Sequence, residues 1–427
     1  MNSTYINLNR RAALAGFGAL AGGMALAPIS FAQTSAKVVV VGGGFGGASA
    51  AGQLKALLPN LQVTLVEPNH IFTACPFSNL VIAGLRDIED QQFGYDGLKA
   101  RGVNIAQTSA TNVDPDAKTV MLADGGTLSY DRLILSPGIS IRWDALEGYD
   151  EAAASKLPHA WKAGKQTLLL RDQLRSMPDG GTVVMTVPPA PFRCPPGPYE
   201  RASLIANYLK TEKPKSKLIM LDSNERFSKM PLFQAAWQEH YADVFERRGP
   251  SFDGRVSRVD AQQMTVSTDF EEIKADVINV IPPQRAGNIA QAAGVANQTG
   301  WCPIKPITFE SALVPDIHVI GDATIAAPMP KSAFSANLQA KVCAMSVARM
   351  LNDEAPSATT LANTCYSYIT VDQAISVVGV YRNDDDTLTS VESAGGISPE
   401  DASASIRELE ARQASAWFDT ITQEAFG

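Results

Sequence analysis

The chain has 427 residues, too many for one ordinary domain, and its 45% hydrophobic and 19% charged residues describe a globular protein, not a disordered one. A formal net charge of −8 leaves no basic footprint for nucleic acid and argues against docking on an anionic membrane.

Residues 1–32 read as an export signal to be set apart from the fold. Asn9, Arg10 and Arg11 precede an apolar, Gly- and Ala-rich stretch over 13–29, and Ser30, Phe31 and Ala32 supply a small–x–small cleavage site. The arginine pair resembles a twin-arginine signal, with an ordinary secretory signal as the alternative. The apolar run is short and soft for a spanning helix, and no later segment is apolar enough for one. The mature protein is therefore expected in the periplasm, with no membrane span.

From residue 37 the sequence predicts strand, tight turn and helix. A β-branched run at 38–41 leads into Gly42, Gly43, Gly44, Phe45, Gly46 and Gly47, and a small-residue helix follows through Leu57. Gly42, Gly44 and Gly47 spell G-x-G-x-x-G. The first makes the turn, the second admits the pyrophosphate to the backbone, and the third lets helix pack on strand. A second strand over 61–66 ends at Glu67, where a carboxylate accepts ribose hydroxyl hydrogen bonds. Residues 130–138 resemble the crossover strand of flavoproteins with two dinucleotide folds. A strand at 317–320 then runs into Gly321 and Asp322, the pair that closes the FAD domain of that group, its Asp bonded to the ribityl chain. The three signals in this order make FAD, not NAD, the ligand of the first domain.

The expected fold class is α/β, with two dinucleotide-binding, Rossmann-like domains of the glutathione-reductase type and a smaller carboxyl-terminal α+β domain. The FAD domain is discontinuous over 33–147 and 289–351, the second domain spans 148–288, and the last spans 352–427. The second domain opens with strands at 181–187 and 217–221. After the first of these, where an NAD(P)H domain carries glycines, stands a turn rich in proline, from Pro188 through Cys194 to Pro198. Prolines offer no N–H to a pyrophosphate and keep the backbone from closing in, so the nicotinamide site is lost and the electron donor is neither NADH nor NADPH. In the last domain, strands at 368–371 and 374–381 precede an acidic helical tail. There Ile406, Leu409, Trp417, Phe418 and Ile421 form an apolar stripe packed on the protein itself.

The five cysteines are Cys75, Cys194, Cys302, Cys343 and Cys365, an odd number that leaves at least one outside any disulfide. Cys75 lies in a loop just past Glu67, long enough to follow an extended FAD to its isoalloxazine. Cys194 lies in the proline-rich turn and Cys365 after the helix that follows Gly321 and Asp322. Cys302 and Cys343 read as buried small hydrophobes. The four histidines show no metal spacing, and no haem-attachment motif is present.

The runs 75–79, 191–202 (PFRCPPGPYERA), 300–303, 329–332 and 363–367 resemble the flavoprotein subunit of flavocytochrome c sulfide dehydrogenase, a relative of the sulfide:quinone oxidoreductases. The likeness runs through essentially the whole mature chain. It implies FAD bound covalently through its 8α-methyl to Cys75. It implies a redox-active disulfide between Cys194 and Cys365, and electrons leaving to haem on a separate cytochrome c subunit. Sulfide, a thiolate-like nucleophile, suits an accessible disulfide as its electrophile, with sulfur or polysulfide released. Glu200, six residues past Cys194, is read either as the base or proton carrier of this site or as a surface carboxylate. Lys331 and the helix beginning at Ser332 either face the flavin pyrimidine edge or merely close a turn. A sulfide:quinone oxidoreductase, or a flavoprotein that activates another sulfur-oxidising enzyme, are the competing readings.

Overall fold

The computed structural model describes residues 36–384 and 387–427; the export signal read over 1–32 lies outside the described residues. Lys37–Val41 pairs in parallel with Gln62–Val66 on one side and Arg132–Leu135 on the other. Asn104–Ala106 and Ile317–Val319 complete a five-stranded parallel sheet at its two edges. Val38, Val39 and Val40 are buried, as β-branched residues are when helices cover both faces of a parallel sheet. The helix that opens at the glycines, Phe45–Leu57, lies along Ala333–Met350. Asn337 Nδ2 donates to Ser49 Oγ across that contact at 2.8 Å.

The chain leaves this sheet through Ile139–Ile141 and returns through Gln284–Ala286, and these two strands pair antiparallel. Between them a second parallel sheet takes the order Phe245–Arg248, Lys217–Asp222, Thr182–Val187, Val277–Val280. Each sheet carries a three-stranded antiparallel meander, Ala110–Asp114 to Thr127–Ser129 in the first and Arg258–Asp260 to Glu272–Lys274 in the second. Leu157, Val184, Val259, Val266 and Ile278 fuse the second meander to its sheet in one core. The architecture is thus the expected pair of Rossmann-like units.

The last segment differs in detail from the sequence reading. Its first strand is Leu361–Tyr368, not 368–371, and pairs antiparallel with Ala374–Asp384. Cys365 is therefore a strand residue, opposite Val377. Asn363 and Ser367, polar residues within this strand, are buried and hydrogen-bonded. Helix Ala404–Phe426 packs across the sheet. Leu409 leaves the expected stripe and stands 45% exposed, whereas Phe418, Ile421 and Phe426 are buried. Phe426 stacks on Phe72 at 5.2 Å and on Phe93 at 5.3 Å, and so anchors the chain end beside the glycine turn. Among the described residues, no helix is long and apolar enough to cross a membrane.

Candidate active site

The glycine turn fits a dinucleotide on stereochemical grounds. Gly42 has φ +98°, and a Cβ there would meet the Ser136 carbonyl group. A Cβ on Gly47 would be driven into the Gly42 carbonyl, 3.0 Å from its carbon and closer to its oxygen. Helix Phe45–Leu57 starts at Gly44 with no side-chain cap, so its first amides can serve a phosphate. The Glu67 carboxylate is fixed at the adjoining strand end, accepting from Gly43 N at 2.8 Å and from Asn69 N and Nδ2 at 2.9 and 2.7 Å. Gly42, Gly44, Gly47 and Glu67 would hold the nucleotide half of FAD, and Asp322, half-buried across the cleft, its ribityl chain.

From this turn runs one continuous cleft. Cys75, Cys194, Glu200, Asp322 and Cys365 all line it. They arrive from distant segments for local reasons. Cys75 follows the short strand Phe72–Thr73, its neighbour Ala74 N donating to Gln91 O at 2.7 Å. Cys194 ends the proline-rich turn just before helix Gly197–Glu212, held by its N donating to Lys331 O at 2.9 Å. Cys365 comes from the carboxyl-terminal sheet, 171 residues further on. The implied disulfide is not formed in this structure; Cys194 and Cys365 are separate thiols, as are the other three. Burial pushes both thiols up. For Cys194 the neighbouring Cys365 and Glu200 push the same way, against Arg193 and Lys229. For Cys365, Lys229 pulls down and Glu200 pushes up.

Glu200 faces the cleft, which separates its two readings: it is not a solvated surface group. Its Oε2 accepts from Asn79 Nδ2 at 2.7 Å and its Oε1 from Tyr368 N at 2.9 Å. Burial raises its pKa above the ordinary carboxylate range, while these two bonds and the charges of Lys229 and Arg201 pull it back. A carboxyl poised in this way can carry a proton at the thiols.

The Lys331 ammonium makes the contacts of a residue that closes a turn, the second of its two readings. Its Nζ donates to the carbonyls of Asp322 and Thr324 at 2.9 and 2.5 Å and lies 3.9 Å above the Trp301 ring. The side chain lines a second cavity, shared with Pro191, Pro195, Phe227 and Trp301, and not the cleft of the cysteines. Burial lowers its pKa to about 8. What Lys331 gives the site is the main-chain oxygen that holds Cys194.

Three cations escaped the sequence reading. Arg193 lies 3.7 Å from Asp322 and donates to Trp161 O. Arg201, 2% exposed, bonds Asn79 Oδ1 and Asn279 Oδ1 at 3.0 Å and stacks 5.0 Å over Trp161. Lys229 reaches the Cys365 strand from the second domain. Arg193 stands beside Cys194 in the run PFRCPPGPYERA, where a basic residue next to a cysteine was the available signal; Arg201 and Lys229 carried none. Phe77, Ala160 and Cys194, which line the cleft, and Lys229, which reaches the Cys365 strand, are non-glycine residues with φ between +46° and +67°, as are several residues elsewhere in the chain.

At the corresponding turn of the second domain Pro188 and Pro189 stand where the first has glycines. Asp222 ends its second strand as Glu67 ends that of the first, but it is fully buried and spent on Arg247 at 2.8 Å. Tyr199 stacks on Phe227 at 3.6 Å beside it.

Three family models match the chain: pyridine nucleotide-disulphide oxidoreductase over residues 36–169, the central part of the sulfide dehydrogenase [flavocytochrome c] flavoprotein chain over 167–282, and the flavin-binding part of flavocytochrome c sulphide dehydrogenase over 357–426. The sulfide dehydrogenase [flavocytochrome c] flavoprotein chain of Chlorobaculum thiosulfatiphilum is 64% identical over 45 residues, 10% of this chain and 94% of that sequence. The mitochondrial sulfide:quinone oxidoreductase of Dictyostelium discoideum is 24% identical over 322 residues, 72% of this chain and 69% of that protein. In fold, the sulfide:quinone oxidoreductase of Aquifex aeolicus superposes with a TM-score of 0.70 at 18% identity, over 91% of this chain and 92% of that one. The chain binds FAD and belongs to the oxidoreductase flavoproteins of the sulfide dehydrogenase and sulfide:quinone oxidoreductase family.

Proposed function

We propose that this protein is a periplasmic, FAD-dependent sulfide dehydrogenase that passes its electrons to a cytochrome c subunit. The observation that carries the reading is the convergence of Cys194, Cys365 and Glu200 on the cleft that Cys75 and Asp322 also line. In the oxidised protein Cys194 and Cys365 form a disulfide. Hydrosulfide attacks one sulfur; the S–S bond breaks, a new S–S bond forms to the incoming sulfur, and the electron pair stays on the other cysteine as thiolate. Glu200 exchanges the proton of the incoming sulfur, and Asn79 and the Tyr368 amide hold its carboxyl in place. Arg193 and Lys229 face the sulfurs and offset the negative charge that collects there. FAD, when bound, supplies the two-electron acceptor that can hand electrons on singly. Cys75 holds it through a thioether, and the segment 1–32 directs export.

The test is flavin bleaching by sulfide. Wild type should bleach, and Cys194→Ser and Cys365→Ser should bleach at least about 100-fold more slowly with FAD still bound. Full bleaching in both variants refutes the mechanism. A quinone acceptor is the second reading, favoured by the sulfide:quinone oxidoreductases that align with most of the chain. Flavin bleached by sulfide should reoxidise faster with cytochrome c than with a short-chain quinone; the reverse order selects the second reading.

A further inference from the structure

Lys229 sits where the second domain meets the carboxyl-terminal sheet, and the mechanism above gives it only a general charge. It precedes helix Met230–His240 in the left-handed conformation, with φ 61°, and is 5% exposed. Its Nζ donates to Ser367 Oγ at 2.8 Å, to the Cys365 carbonyl at 3.2 Å and to the Ile375 carbonyl at 3.4 Å. All three acceptors are neutral, and among the described residues Lys229 makes no ion pair. An ammonium withdrawn from water is unfavourable unless a counter-charge faces it, and a non-glycine residue in the left-handed region adds strain. A fold that keeps both at one position uses the charge.

The groups that face Lys229 come from every element packed on it. They are Cys365 from strand Leu361–Tyr368, Cys194 and Glu200 from the turn and start of helix Gly197–Glu212, and Glu410 from helix Ala404–Phe426; the ring of Phe233, on its own helix, lies 5.9 Å away. Both carboxyls have nearer partners. Glu200 is bonded to Asn79 and Tyr368 N, and Glu410 to Ser376 Oγ and Ser398 Oγ at 2.9 and 2.6 Å. That leaves the sulfurs. Cys194 already has Arg193, its strongest cationic neighbour, whereas Lys229 is the cation that acts on Cys365.

We propose that Lys229 is the dedicated counter-charge of Cys365: it fixes the strand through the Cys365 carbonyl and Ser367, and lets the Cys365 sulfur ionise inside a buried cleft. The assignment rests on the redox role given to the cysteine pair. Its effect falls mainly on Cys365, a positioning and charge-balancing one, with Arg193 foremost in doing the same for Cys194. Burial by itself drives the Cys365 thiol up and the Lys229 ammonium down, and their proximity counters both.

The experiment needs no sulfide, so it fails or succeeds apart from the proposed activity. The FAD-loaded full chain is reduced with dithiothreitol, freed of reductant, and pulsed with iodoacetamide across a pH series. Carbamidomethyl at Cys194 and Cys365 is then counted by peptide mass spectrometry. Lys229→Gln, which keeps an N–H donor and loses the charge, should raise the pH midpoint of Cys365 alkylation by at least about one unit, roughly a tenfold slower reaction at neutral pH. Lys229→Arg should return most of that shift, and Cys194 should move less than Cys365 in both. An unmoved Cys365 midpoint in Lys229→Gln overturns the proposal, and so does an equal shift in the Gln and Arg variants, which would mean position and not charge. Arg193→Gln leaves Lys229 in place and removes the cation that acts on Cys194, so it should raise the Cys194 midpoint and leave that of Cys365 where it was. A Cys365 shift as large as that of Cys194 overturns the proposal even if the Lys229 variants do not fold.

Discussion

Replacing Gly47 by alanine sets two effects of opposite sign against each other. Gly47 lies in the first turn of helix Phe45–Leu57, where alanine is favoured over glycine by about 1 kcal/mol. Against this, the new Cβ would be forced into the Gly42 carbonyl, 3.0 Å from its carbon, and would press on Val40 Cγ1 at 3.3 Å. The first obstacle is backbone and cannot rotate away, so the upper end of the overpacking range applies, about 3 kcal/mol. The net is about 2 kcal/mol against the variant. At about 2–4 °C per kcal/mol the melting midpoint should fall by about 4–8 °C, and the same distortion of the phosphate cradle should lower the share of chains that acquire flavin. Gly52→Ala is the control. Its Cβ would meet the Arg101 guanidinium, 2.7 Å from Nη1, the movable end of a long side chain, so it should melt within about 2 °C of wild type. The assay is thermal unfolding together with flavin-to-protein absorbance of the purified chains. Equal flavin content and equal midpoints for the two variants would refute the close-approach argument.

Three further outcomes are expected. Acid precipitation should leave yellow flavin in the pellet of wild type and release it from Cys75→Ser; flavin in the wild-type supernatant would remove the thioether. Rapid mixing with NADH or NADPH should leave the oxidised flavin band unchanged, since Pro188, Pro189 and the spent Asp222 replace a cradle; fast bleaching at micromolar NADH would count against that domain reading. Burial raises the pKa of Glu200 in the fold from 4.5, so its contribution to stability is complete below that value and fades as pH rises through the higher folded value. Glu200→Gln has no proton to lose and should flatten that stretch of the melting-temperature profile, while an unchanged profile would take Glu200 out of the buried set.

What could be read along the chain was whatever a few consecutive residues dictate. The glycine turn, the acid at the end of the second strand and the Gly321–Asp322 pair each depend on neighbours in sequence, and their strands and helices stand within a residue or two of expectation. Side-chain direction is a different matter. Lys331 follows the right segment, but its ammonium turns to the Asp322 and Thr324 carbonyls and the Trp301 face, a choice made by groups brought together only in the fold. Lys229 and Arg201 were invisible for the same reason, since Ser367 and Cys365 for the one, and Asn79 and Asn279 for the other, belong to distant segments of the chain. The strand Leu361–Tyr368 hid behind polar residues whose partners, such as Ser332 for Asn363 and Lys229 for Ser367, belong to other elements.

The left-handed residues around the cleft bear on how this protein would respond to selection for robustness. Glycine relieves such a conformation, so a search for heat-resistant variants should find glycine substitutions at Phe77, Ala160, Cys194 and Lys229 among its candidates. At Cys194 the same change deletes a reacting sulfur, and at Lys229 it deletes the charge that faces the other. Libraries ranked by survival on heating and libraries ranked by turnover should therefore diverge at these positions first, and that divergence would map the cleft without any ligand in hand.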